Sequence, residues 1–159
     1  MKFFLAGIMQ GSHHGAQLHK QDYRSRLREL LVAHVAGAEV YDPLANHRES
    51  LGYDESQGRQ VFFHHNRMCG ASDVVIAFVP EATMGTAIEM WEAFRHGQIV
   101  VTISPLALNW AVKFLSHLVY GDVATFEAEL ISGRFTQQLS AIREQLDSAG
   151  VVAGRAFQP

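Results

Sequence analysis

The chain has 159 residues, 48% of them hydrophobic, enough for one domain around one core. Only 18% are charged and the net charge is −3, which argues against a long disordered tail and against a binder of nucleic-acid polymers, whose face would be basic. Cys69 is the single cysteine, which excludes an intrachain disulfide and suits a reducing cytoplasm, and no stretch reaches the roughly 18 apolar residues that a membrane span needs.

Residues 2–7 (KFFLAG) form a short apolar run ending in glycine, expected as a buried strand and too short for a signal peptide. A loop through Gly15 follows. Residues 16–36 place Leu18, Tyr23, Leu27, Leu30, Leu31 and Val35 at helical spacing, with Lys20, Arg24 and Arg28 expected on the opposite face. Residues 38–41 read as the second strand. Residues 42–56, rich in polar groups with Pro43 and Gly52, form the longest expected loop; loops of that length in compact domains are usually functional or mobile. A helix is expected over 57–70, a buried strand over 74–79 and a helix over about 85–96. Residues 99–103 (IVVTI) give another buried strand, Pro105 starts a helix to about Ser116, and 117–120 read as a short fifth strand. Two helices, 122–132 and 135–148, split at Gly133, close the domain of residues 1–150, and 151–159 are expected to be a loose tail. Strands alternating with helices imply an α/β fold of three layers, flavodoxin- or Rossmann-like, with a parallel sheet of about five strands covered by helices. Ligands of such sheets bind beyond the carboxyl ends of the strands, which groups the loops 7–15, 42–56 and 79–86.

The segment from Gly7 through Met9, Gln10, Gly11 and Ser12 to Gly15 joins a strand to a helix. Glycines let the backbone approach a ligand, and the following helix end offers free N–H groups, so the loop suits a phosphate or reads as an ordinary turn. It is neither a Gly-x-Gly-x-x-Gly fingerprint nor a P-loop. The segment from Pro80 to Ala93 carries more. Gly85 opens a helix after the most buried strand, and Glu89 follows about one turn in, among Ala87, Ile88, Met90 and Trp91. A carboxylate in that setting is costly unless it has a task or a partner. The residues alone leave two readings, a functional acid or a glutamate held by the helix dipole.

Three segments together resemble the nucleoside 2-deoxyribosyltransferase-like superfamily: Phe4 to Gly7 with its glycine loop, Ala71 to Ala77, and Gly85 to Glu89. The resemblance covers about residues 1–120 and lies closest to the nucleoside 5′-monophosphate N-glycosidases. It implies that Glu89 is the nucleophile, attacking the anomeric carbon to give a glycosyl-enzyme ester. A general acid must then protonate the departing base. Eight residues before Asp73, where the family has an aspartate, stands His65. It can take over that proton transfer, or His64 can if the register slips by one, while Asn66 contacts sugar or base; the bland alternative leaves both histidines on a helix surface. Thr83, six before Glu89, replaces the acid of the transferases and favours a 5′-phosphate, with Ser12, Met84 and Gly85 in the same cradle; Glu81 nearby works against this. Asn109 matches a position that in the family reaches a neighbouring subunit's site, which implies a homodimer or higher homo-oligomer. Asp42, at the end of the second strand, holds a sugar hydroxyl or base edge, or simply makes an Asp-Pro turn. The pairs His13–His14 and His64–His65 lack metal-ligand spacing, so no metal and no cofactor is expected. The implied partner is a small nucleotide or nucleoside, without nucleic-acid polymer or membrane. Base exchange between deoxynucleosides and a non-catalytic nucleotide sensor stand as alternative functions.

Overall fold

A computed structural model describes residues 1–11 and 18–148. Five parallel strands, β1 (Lys2–Gly7), β2 (Glu39–Tyr41), β3 (Val74–Phe78), β4 (Ile99–Ile103) and β5 (Leu118–Tyr120), form one sheet in the order β2-β1-β3-β4-β5. The helices are α1 (Asp22–His34), α2 (Pro43–Asn46), α3 (Glu55–Ala71), α4 (Met84–Arg95), α5 (Trp110–Leu115), α6 (Val123–Ile131) and α7 (Arg134–Ser148). This is the three-layer α/β architecture expected from the sequence.

The sheet is apolar on both faces because helices cover both. Alternation along β1 sends Phe3 and Leu5 into one core with Leu27, Leu31, Phe126 and Phe135, and Phe4 and Ala6 into the other with Cys69, Met90, Ala93 and Val112. Chain direction across the sheet reverses at β1, whose neighbours are β2 and β3. Phe4 pairs with Tyr41 and Gly7 with Phe78, so the loops after β1, β2 and β3 emerge at one end.

Three boundaries differ from the sequence reading. Helix α1 starts at Asp22 rather than near 16. Residues 18–20 are not helical, and Gln21 instead bonds back to the carbonyls of Ile8 and His19. The long polar loop contains α2 and a 3-10 turn at Ser50–Gly52, since Asp42 caps the Leu44 N–H at 3.0 Å and Pro43 suits a first helical position. Helix α5 starts at Trp110 rather than Pro105, because Ser104 takes the Leu106 N–H into a turn and Asn109 caps the helix through the Ala111 N–H. The 151–159 tail lies outside the described residues.

Candidate active site

The β1 end is organised by a residue that the sequence reading put on the wrong face. Arg24 is buried, at 3% exposure. Its guanidinium donates to the carbonyls of Leu5 (2.9 Å) and Gly7 (3.2 Å), to Asp42 Oδ1 (3.1 Å) and to Gln21 Oε1 (2.8 Å). A buried charge needs a full set of partners, and these provide it. The signal was present in the sequence: Arg24, Leu27 and Leu31 are spaced i, i+3, i+7, so Arg24 lies on the apolar stripe. Tyr23, beside it, stacks on Phe78 with centroids 4.2 Å apart and donates its hydroxyl to the Ile8 carbonyl at 3.1 Å. A Cβ at Gly7 would sit 2.5 Å from that hydroxyl, so a side chain here would force the Tyr23 ring to shift.

Glu89 projects from α4 into this neighbourhood. It keeps partial surface exposure yet is densely surrounded by protein. Desolvation raises its pKa to about 8, against the lowering effect of the Arg24 charge. Among the described residues no hydrogen bond or ion pair reaches its carboxylate. It is the sixth residue of α4, beyond the first turn where the dipole acts, so dipole stabilisation does not account for it.

The other expected site residues fall into separate groups. Met9, Gln10 and His65 line a cavity of ≈ 270 Å³ between the β1 loop, the 42–56 segment and α3. Gly11, Thr83, Met84 and Asn109 line a second, of ≈ 470 Å³, between the N-terminus of α4 and the loop before α5. Thr83 is the N-cap of α4 and spends no side-chain hydrogen bond on capping. Gly85 is exposed, with open space where a Cβ would be. Asp42 lies apart from these groups, its Oδ1 shared between Arg24 and the α2 cap, and it lines a groove of ≈ 680 Å³ between α1 and α2. This groove is the largest of the three cavities and is lined by the Arg24–Asp42 pair itself; Glu89 lines none of the three. Glu81 contacts His19 at 3.1 Å, and its carboxylate lies over Gly11, whose φ of +55° favours glycine. Ser12 and the His13–His14 pair lie outside the described residues.

On α3, His64 is exposed, whereas His65 is half-buried, with Nε2 3.3 Å from the Tyr41 hydroxyl. Burial, helped by the neighbouring His47, His64 and Arg24, lowers the His65 pKa to about 4, so its ring is neutral at pH 7. Asn66 is buried; its Nδ2 donates to the Phe62 carbonyl at 2.8 Å, and its Oδ1 has no partner among the described residues. Sequence reasoning missed His47, Tyr41 and Tyr53, which enclose His65; the sequence shows them only as scattered polar-loop and strand residues.

No family model matches the sequence, and no curated protein matches it significantly. Solved structures do match its fold. One is a 2-deoxyribosyltransferase from Bacillus psychrosaccharolyticus, at 18% identity and a TM-score of 0.61, covering 82% of this chain and 96% of that one. A conserved protein of Enterococcus faecalis V583 aligns at 19% identity and a TM-score of 0.52, over 91% of this chain and 98% of that one. The CMP N-glycosidase of Clostridium botulinum aligns at 19% identity and a TM-score of 0.49, over 82% of this chain and 98% of that one. The chain therefore has the fold of a nucleoside 2-deoxyribosyltransferase, as the three sequence segments implied.

Proposed function

We propose that this protein is an N-glycosidase that hydrolyses nucleoside 5′-monophosphates to free base and sugar 5-phosphate, with Glu89 as nucleophile. The observation that carries this reading is the Glu89 carboxyl itself: desolvated, unbonded among the described residues, and set beside Arg24 at the end of the sheet where such folds bind ligands. A hydrogen-bonded carboxylate would be spent; this one is available. The ionised Glu89 carboxylate, a fraction that grows as pH rises toward 8, attacks the anomeric carbon as the bond to the base breaks, and water then cleaves the ester. Thr83, with its hydroxyl free of the helix cap, and the backbone around Gly11 receive the 5′-phosphate; Met84 and Gly85 leave the α4 N-terminus open to it. Met9, Gln10, His65 and Asn66 surround base and sugar. Asp42 serves through Arg24 rather than by touching substrate.

Base exchange between deoxynucleosides is the second reading, favoured by the fold likeness to a 2-deoxyribosyltransferase. A panel of ribo- and deoxyribonucleosides and their 5′-monophosphates, assayed for free base with and without an acceptor base, separates the two. Hydrolysis of monophosphates is expected; exchange of free nucleosides alone would replace our reading, and tight binding without product would make the protein a sensor. The active unit is a homo-oligomer in this proposal. Leu108, Trp110 and Phe114 beside Asn109, with Met84, Ile88 and Trp91 on α4, leave a broad apolar surface exposed. Sedimentation at micromolar concentration is expected to give a dimer or larger.

A further inference from the structure

The ≈ 270 Å³ cavity contains a second histidine to which the sequence reading gave no role. His47 ends α2, and its Nδ1 lies 3.0 Å from the Tyr53 hydroxyl. Its ring centroid is 5.0 Å from that of His65, at 72°. His65 is tied in turn through Nε2 to the Tyr41 hydroxyl at 3.3 Å. Each imidazole is thus fixed by a tyrosine through one nitrogen. The other nitrogen, Nε2 of His47 and Nδ1 of His65, has no hydrogen-bond partner among the described residues. Two rings this close repel each other when both are charged. The Phe4 and Tyr41 rings both pack against His65, whereas among the described residues His47 meets only the Tyr53 ring besides that of His65, which leaves the His47 Nε2 the better placed to reach a ligand atom. Apolar Met9, Leu51 and Phe62 complete a wall suited to a planar base.

We propose that His47 is the proton donor to the departing nucleobase, with Tyr53 as its positioning residue, and that His65 is the neutral imidazole that holds the base edge. This rests on the N-glycosidase reading above. As the Glu89 oxygen bonds to the anomeric carbon, the electron pair of the breaking C–N bond passes to the base, and the proton on His47 Nε2 passes to a base nitrogen or oxygen. In the second half-reaction water attacks the anomeric carbon, the ester to Glu89 breaks, and the proton lost by water returns to His47. The transferred proton therefore begins and ends on the same nitrogen.

The test compares leaving groups. Wild type, His47→Gln and His65→Gln are assayed on nucleoside 5′-monophosphates and on 4-nitrophenyl ribofuranoside 5-phosphate, whose leaving group needs no proton. His47→Gln is expected to lower the single-turnover rate of base release from the nucleotides by about 10²-fold or more and to leave the initial burst of nitrophenolate within about threefold of wild type. His65→Gln is expected to raise KM for the nucleotides more than it lowers kcat. His47→Asn, whose amide can still face Tyr53, repeats the test should the glutamine variant fail to fold. Equal loss on both substrates, or a leaving-group-dependent loss in His65→Gln instead, overturns the assignment while the N-glycosidase reading stands. A wild type that releases neither base nor nitrophenolate overturns both.

Discussion

Glu89 and Glu92 lie one turn apart on the same helix and meet opposite environments. Glu92 is gripped by Arg95 through two bonds of 2.7 and 2.8 Å, and its pKa falls. Glu89 faces the sheet end, has no such bond among the described residues, and its pKa rises to about 8. The same contrast separates two regions of the molecule. Around α6 and α7, Arg134 binds Glu129 at 3.1 Å, Arg26 binds Glu127, and Phe126 packs edge-on against Phe135. There polar groups are paired and serve the fold. At the β1 end, Glu89, Asn66 Oδ1 and one nitrogen each of His47 and His65 stand without partners among the described residues. Unspent polar groups in partly desolvated surroundings are what a reaction site requires and what a purely structural region avoids.

Substituting Glu89 should break the contrast most severely. Glu89→Gln is expected to lower turnover on the order of 10⁴-fold, roughly 5 kcal/mol of barrier, in a base-release assay. The same change should stabilise the fold. A carboxyl whose folded pKa lies above its unfolded value costs stability once pH exceeds the unfolded pKa, near 4.5, and the cost grows until about pH 8. The melting temperature of Glu89→Gln should therefore exceed that of wild type at pH 8 and converge with it near pH 4.

Removing Arg24 should be the most damaging change to the fold itself. Arg24→Met leaves Asp42 without its cation and the Leu5 and Gly7 carbonyls without donors, at an expected cost of about 3–5 kcal/mol in urea unfolding. Lost cationic charge would also push the rising limb of the kcat/KM pH profile to higher pH. A smaller effect is expected at His65. Its folded pKa of about 4 lies below its unfolded value, so stability is present above about pH 6.5 and is lost as pH falls toward 4. His65→Gln should flatten that dependence by an amount on the order of 1 kcal/mol. Glu92→Gln should do least, leaving turnover intact and the melting temperature within about one degree of wild type.

The strand ends and most helices were legible because β1, β3 and β4 are apolar runs bounded by glycine or polar turns, α3 and α6 have local caps, and α7 has a helical period. Glu89 was legible as an oddity, a carboxylate among Ile88, Met90 and Trp91, and its spacing from Gly85 carried the family resemblance. Arg24 was misplaced because a long cationic side chain is ordinarily assigned to solvent, although its spacing from Leu27 and Leu31 put it on the buried stripe. The His47–Tyr53 and His65–Tyr41 pairs were not legible. Tyr41 and His65 come from β2 and α3, which only the crossover brings together, and His47 meets Tyr53 through the α2 and 3-10 turns that the sequence showed only as a polar loop. Asp42 was ambiguous for a local reason: an aspartate before a proline caps a helix as readily as it binds a ligand, and its Oδ1 is engaged in the cap.

The most direct test of the central claim is mass spectrometry of the protein during turnover of a nucleoside 5′-monophosphate, quenched in acid. We expect the intact mass to increase by one sugar-phosphate unit, with the adduct mapping to the α4 peptide through Glu89 and absent from Glu89→Gln. Base release without any adduct, or an adduct on another residue, would contradict the assignment of Glu89 as nucleophile.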